Sequence, residues 1–157
     1  MNRLLFIVAL VLLLVPAGLA HTGHYMISDV EAFSEEHREA LQAAGIADTE
    51  ALLAATLSGE DREQLARTTG IPASQLREFA RLAEFLQLDG VGVFAARLLV
   101  AAGVSGVREL AESDAEELVG RIAAANTGAR VAPQNPPVES LTAWIASAAT
   151  AIHHVRD

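Results

Sequence analysis

The chain has 157 residues, no Cys, and a formal net charge of −9 that comes from 20 acidic side chains against 11 arginines. The lack of Cys excludes disulfides, and the acidity disfavours long-range attraction to nucleic acid or to anionic lipid. Ala, Leu, Glu and Arg dominate and aromatic residues make up only 4% of the chain, so the composition predicts helices and no sheet.

The first 20 residues have the pattern of a secretory signal peptide. Arg3 precedes an unbroken apolar run over residues 4–15, and residues 16–20, Pro-Ala-Gly-Leu-Ala, have small residues at the positions that a signal peptidase needs. Cleavage after Ala20 would leave a mature chain of 137 residues, 21–157, that begins at His21. An uncleaved membrane anchor is the alternative, because the apolar stretch is nearly long enough to span a bilayer. We expect an exported protein, periplasmic or extracellular, whose only membrane contact would be an uncleaved leader.

Beyond the leader, short helices follow one another, and Gly, Ser, Asn or Pro separates them. Ser34 and Asp48 are the predicted N-caps of the first two. The predicted helices cover residues 35–44, 48–57, 60–69, 72–87, 93–102, 107–111, 114–126 and 138–155. In the 72–87 helix, a three- and four-residue spacing predicts a buried face made of Leu76, Phe79, Ala80, Ala83 and Leu86.

An internal repeat organises these helices. The sequence ALQAAGI of residues 40–46 reappears as LLVAAGV in residues 98–104, an offset of 58, and the same offset aligns Leu52 with Leu110. We therefore predict a single all-α domain built from two copies of one helical module, in which each copy buries a face that neither could bury alone. The first copy covers about residues 27–86, the second about 87–132, and a packing helix over about 138–155 follows a Pro-rich connector.

One motif in the second copy resembles a helix-hairpin-helix turn. Gly90, Val91 and Gly92 form a Gly-apolar-Gly sequence that predicts a tight turn ahead of a helix. In such hairpins the backbone N–H groups face outward and suit an anion, commonly a nucleic-acid phosphate, and Arg97 would supply a nearby cation. The structural alternative is that the glycines only permit the turn while Val91 fills the core.

The neighbouring residues favour the structural alternative. Asp89 places a negative charge beside the supposed phosphate site, and Val93 and Phe94 stand where a cation or hydroxyl would help. In the first copy, residues 32–34 read Ala-Phe-Ser, so both glycines are missing. That first hairpin is predicted to be purely structural.

With the repeat and the motif in view, residues 25–152 resemble the family of unknown function called DUF4332. The resemblance implies a fold of tandem helix-hairpin-helix units and supplies no activity. Gln87 departs from the pattern, because it stands where a basic residue would be expected before the hairpin. The matching stretches are residues 27–31, 65–71, 88–92 and 108–111, with Asn126 and the Trp144-Ile145 pair towards the end.

The histidines allow a metal-binding hypothesis. After cleavage, the free amine and the imidazole of His21 could chelate Cu(II) or Ni(II), with His24 and the His153-His154 pair as further ligands. The alternative is a mobile polar tail, which is common at chain ends.

The sequence contains no Cys nucleophile, no His-x-x-x-His pair and no phosphate-binding Gly-x-x-x-x-Gly-Lys loop. We therefore predict a protein that is not an enzyme and needs no cofactor. The first functional hypothesis is an exported scaffold or binding module whose partner is another protein. The second is an extracytoplasmic DNA-binding protein that uses Gly90, Val91, Gly92 and Arg97, with Arg121 nearby, and the third is the copper or nickel binder.

Overall fold

The structure, a computed structural model, describes residues 24–151. The predicted leader, its cleavage site, His21 and the last six residues lie outside that range. The described chain forms one 3-10 turn and eight helices, with no strand beyond an isolated bridge between Met26 and Asp48. The predicted all-α class is confirmed. After the turn Ile27–Asp29, the helices are α1 Glu35–Ala43, α2 Thr49–Ala54, α3 Gly59–Thr69, α4 Ala73–Leu86, α5 Val93–Ala101, α6 Val107–Glu112, α7 Ala115–Ala129 and α8 Val138–Thr150.

Side-chain caps fix several helix starts. The Ser34 hydroxyl accepts a hydrogen bond from the His37 N–H at 3.3 Å, and the Asp48 carboxylate accepts one from the Ala51 N–H at 2.8 Å. Both predicted N-caps are therefore confirmed. Ser58 and Asp61 add a reciprocal capping box at the start of α3, which satisfies two backbone donors that a helix terminus leaves unpaired.

Helices α1 and α5 end in the same way. Gly45 and Gly103 follow them with φ values of +85° and +76°, a left-handed conformation that glycine adopts without steric cost. The Ile46 N–H then bonds the Leu41 carbonyl at 2.9 Å, and the Val104 N–H bonds the Leu99 carbonyl at 3.0 Å. These bonds are 58 residues apart, as are the starts of the two helices. That the domain consists of two copies of one helical module stays a prediction.

Helix α4 lies at the centre of the domain, where α2, α3, α5 and α6 all contact it. Its predicted apolar face is buried throughout, and so are Leu82 and Phe85. Glu84 is buried as well, at 3% exposure, although it is charged and lies outside the predicted apolar face. The chain at the start of α6 lies close to this side chain, since the Glu84 Oε2 atom is 3.3 Å from where a Cβ on Gly106 would stand.

Helix α8 has the corresponding position among the later helices, because both α6 and α7 pack on it. The side chains of Leu141, Trp144 and Ala148 are buried along one face of α8, as their helical spacing predicts. The connector before α8 is held by Asn126. Its carboxamide accepts a hydrogen bond from the Ala132 N–H at 2.9 Å and donates to the Asn135 side chain at 2.8 Å.

Candidate functional site

The predicted hairpin is a tight turn over residues 88–92, which joins α4 to α5. The Val91 N–H donates a hydrogen bond to the Leu88 carbonyl at 3.1 Å. Val91 is only 3% exposed and belongs to the hydrophobic core. Gly90 has a φ of +76°, so the turn needs a glycine there. Gly92 has an ordinary φ of −89° and open space around it. Only one of the two glycines is therefore required by backbone conformation.

Helix α8 covers this turn with two hydrogen bonds. The Trp144 Nε1–H donates to the Gly90 carbonyl at 3.1 Å, and the Asp89 N–H donates to the Ser147 hydroxyl at 3.1 Å. The Trp144 ring is also close enough that a Cβ on Gly90 would lie 3.5 Å from Nε1. Backbone groups of the turn are thus bound by the chain's own last helix. The sequence identified Trp144 as a packing residue but carried no signal for its polar contact with the turn.

Arg97 lies on α5 and lines a different feature, an open cavity of about 200 Å³ between α4, α5 and the segment before α1. The cavity is mainly apolar, with Phe33 and Phe79 on its wall, and their ring centroids are 4.1 Å apart. Its lining includes none of residues 88–92. Gly90, Val91 and Gly92 are therefore together in one turn, whereas Arg97 borders an apolar cleft.

Arg121 forms two structural contacts. Its Nη2 atom donates to the Ala102 carbonyl at 3.1 Å and to Glu109 Oε1 at 3.0 Å, which joins α7 to the end of α5 and to α6. The pKa of the Glu109 carboxyl lies below its usual value, chiefly because the Ser105 N–H donates to Oε2 at 2.8 Å. The Ser105 side chain and then Arg121 lower it further, against the opposing effect of burial. Through these two contacts, Arg121 stabilises the loop between α5 and α6.

The sequence marked Gln87 only as a departure from the family pattern, and the burial of its amide was not predicted. Gln87 directly precedes the 88–92 turn, and its Nε2 atom is buried without a hydrogen-bond partner among the described residues. A buried amide donor that lacks a partner destabilises a fold. The side chain at this position is therefore not optimised for stability. The family pattern would place a basic residue there.

Of the histidines in the metal-binding prediction, only His24 lies within the described residues. His24 is described and its Nδ1 atom lies 3.4 Å from the Glu50 Oε2 atom, whereas His21 and the His153-His154 pair are outside the described range. Within residues 24–151, no group of three or more His, Asp or Glu side chains is arranged to hold a metal ion. The terminal-histidine hypothesis stays a prediction.

No helix within residues 24–151 is long and apolar enough to cross a membrane. Among curated proteins and among solved structures, no significant match to the chain is found. Residues 31–151, well over half of the chain, match the family described as Domain of unknown function (DUF4332). The chain therefore belongs to the DUF4332 family.

Proposed function

We propose that this protein is an exported, non-enzymatic binding or scaffold module whose partner is another protein. The observation that carries the proposal is the engagement of the 88–92 turn by α8, through Trp144 and Ser147. An anion site needs free backbone N–H groups directed at the ligand, whereas in this turn the Asp89 N–H donates to Ser147, the Val91 N–H donates to the Leu88 carbonyl, and the Trp144 ring lies against Gly90.

Charge supports the same proposal. A DNA-binding surface gains most of its affinity from cations that neutralise phosphates, and this chain carries a net charge of −9. Of the arginines proposed for DNA contact, Arg121 is paired with Glu109 and Arg97 borders an apolar cleft. Neither arginine lies among the residues of the turn that would meet the phosphate.

Phe94 is the residue that we propose as a contact for the protein partner. It stands two residues after Gly92 on the first turn of α5, and 52% of its surface is exposed, the largest fraction among the exposed large hydrophobic side chains of residues 24–151. Aromatic side chains contribute strongly to protein interfaces, because they bury a large area at a low cost in conformational entropy.

A photo-crosslinking amino acid in place of Phe94, introduced into the cells that make the protein, tests this contact. We expect one dominant crosslinked protein from the extracytoplasmic fraction. The matched control carries the same crosslinker in place of Glu60, an exposed residue near the start of α3, and should give no such product. Equal crosslinking at the two positions, or none at either, would contradict the proposed interface.

Titration with duplex DNA distinguishes the proposed protein-binding module from the DNA-binding alternative. Fluorescence anisotropy at low ionic strength should show no binding, because the net charge opposes it. Binding that weakens steeply as salt rises, and that Arg97→Gln reduces, would instead support the DNA-binding alternative.

We further propose that the leader is removed after Ala20 and that the two halves of the domain are tandem helix-hairpin-helix units. Equal lengths of α1 and α5, and of α2 and α6, support the duplication, since each pair also begins 58 residues apart. Mass spectrometry of the protein from its producing cells should give a chain that starts at His21. Recovery of the full-length chain in the membrane fraction would favour the anchor alternative.

A further inference from the structure

The apolar cleft of about 200 Å³ that Arg97 borders is open to the surface. Its lining comes from α4, from the second half of α5, from the segment before α1 and from the connector after α7. Phe33 and Phe79 are its buried part, whereas its other apolar side chains are only partly buried or exposed: Ala32, Val100, Ala101 and Val131. Tertiary packing thus brings apolar groups from four separate segments to one open cleft, as at surfaces that bind a partner.

Helix α5, which forms one side of the cleft, is apolar nearly all round. Arg97 is the only polar or charged residue in Val93–Ala101. A helix of this kind is normally buried on every side. Among the described residues, however, the helices that pack extensively on α5 are α4 and α7, and Ala101 at the edge of the cleft is exposed. The side of α5 that borders the cleft is therefore an apolar surface that residues 24–151 leave uncovered.

Two opposite charges border the same cleft, one on each of its helices. Arg97 on α5 has no hydrogen-bond or ion-pair partner among residues 24–151. Glu78 on α4 is exposed and accepts a hydrogen bond from Gln75 Nε2 at 3.4 Å, without an ion pair to any described residue. Charges at the rim of an interface set the orientation of the partner and exclude wrong partners. An occupant of this cleft should therefore present a carboxylate to Arg97 and a cation to Glu78.

A second copy of this chain meets that requirement. In a two-fold symmetric dimer the same surface lies on both sides, so each contact between two residues occurs twice. If Arg97 of one copy faces Glu78 of the other, the reverse pair forms as well. The net charge of −9 opposes the approach of two copies, but this repulsion is largely screened beyond about 8 Å at physiological ionic strength.

We propose that the cleft and the adjoining side of α5 form the interface of a two-fold symmetric homodimer. Val100 and Ala101 of each protomer lie against the cleft of the other, and Arg97 pairs with Glu78 across the interface. The proposal goes beyond the function proposed above, since Phe94 lies in the first turn of α5 and does not line the cleft. Self-association of the purified protein can therefore fail while Phe94 contacts a different protein, and the reverse also holds.

Sedimentation equilibrium of the protein purified from its producing cells, at physiological ionic strength and from micromolar to millimolar concentration, tests the dimer. We expect a reversible equilibrium between monomer and dimer. Arg97→Glu and Glu78→Arg should each raise the dissociation constant at least about tenfold, because each turns two attractive pairs into two repulsive ones. An equimolar mixture of the two variants should dimerise about as tightly as the unaltered protein, because every charge then meets its opposite. Recovery in the mixture also shows that both variants are folded.

Arg108→Glu is the matched control, because Arg108 is an exposed arginine on α6 that does not line the cleft. It carries the same change of charge as Arg97→Glu and should alter the dissociation constant by less than about threefold, the effect of long-range repulsion alone. A monomer at every concentration would overturn the proposal. So would a dimer that neither cleft variant weakens, an equal loss in Arg108→Glu, or a mixture of the two variants that stays monomeric.

Discussion

The turn before α1 and the turn before α5 lead into helices of equal length, but different groups hold them. The first has a local side-chain cap, Ser34 at the start of α1, and Phe33 beside it packs on Phe79 of α4. The second has no side-chain cap and is held from outside by α8, through Trp144 and Ser147. The two equal helices therefore differ in how they begin: a side-chain cap and contact with α4 hold the first turn, whereas hydrogen bonds from α8 hold the second, which is the turn that resembles an anion site.

Among the substitutions proposed here, removal of the Trp144 ring or of the Phe33 ring should lower the free energy of unfolding most. Trp144→Ala and Phe33→Ala should each lower the free energy of unfolding by about 3–5 kcal/mol, because each removes a large buried side chain. Trp144→Phe retains most of the burial and should cost less, about 1–2 kcal/mol for the lost bond to the Gly90 carbonyl and for imperfect packing. Urea unfolding followed by far-ultraviolet circular dichroism measures all three. A cost below about 1 kcal/mol for Trp144→Ala would show that α8 does not hold the second turn.

The two glycines of the second turn should respond differently to alanine. Gly90→Ala forces a side chain into the left-handed region at φ +76° and should cost about 1–2 kcal/mol. Gly92→Ala meets open space at an ordinary φ and should change stability by less than about 0.5 kcal/mol. Thermal or urea unfolding of the pair checks this. Equal costs at the two positions would mean that the conformation of the turn differs from the one described.

Single hydroxyl groups at the two turns should have smaller, matched effects. Ser34→Ala removes an N-cap and should cost about 1 kcal/mol. Ser147→Ala removes the acceptor for the Asp89 N–H and should cost about 0.5–1.5 kcal/mol. Because Ser147 is distant in sequence from the turn, only its substitution should couple to Trp144→Phe in a double-mutant cycle. Additive effects for Ser147 and Trp144 would count against a shared contact on the turn.

A small pH dependence of stability should arise in the loop between α5 and α6. The folded-state pKa of Glu109 is lowered, so its contribution to stability is complete above the usual value of about 4.5 and is lost as pH falls from there through the lowered value. Glu109 is partly exposed, so this contribution should be below about 1 kcal/mol. Unfolding of the unaltered chain and of Glu109→Gln should therefore differ near pH 6 and converge in acid. A difference that grows on acidification would contradict the sign.

Sequence patterns predicted the helices well, because their signals are local. Ser34, Asp48 and Gly45 are capping residues recognisable within a few positions, and the apolar spacing of α4 identified its buried face. The burial of Glu84 could not be predicted in this way, since the chain at the start of α6, which lies close to it, is more than twenty residues further along the sequence. The contact of Trp144 with the second turn has the same origin, because a hydrogen bond across 54 residues leaves no periodic trace.

The candidate site was predictable only in part for a related reason. Gly90, Val91 and Gly92 were identified by their spacing, but whether their backbone groups face outward is decided by α8. A cavity between α3 and α4 that is lined by Arg62, Arg77 and Arg81 was not predicted, because these residues lie on two different helices and belong to no motif. Tertiary packing brings them together.

Hydrogen exchange of the Trp144 indole N–H tests the central claim most directly, namely that the 88–92 turn is held by α8 as part of the packed domain. The indole donates to the Gly90 carbonyl and lies in a ring that is only 7% exposed. It should therefore exchange only through opening of the domain, with a protection free energy close to that of global unfolding. Exchange within about tenfold of the rate of a free indole would correspond to an opening cost of about 1.4 kcal/mol or less and would contradict the claim.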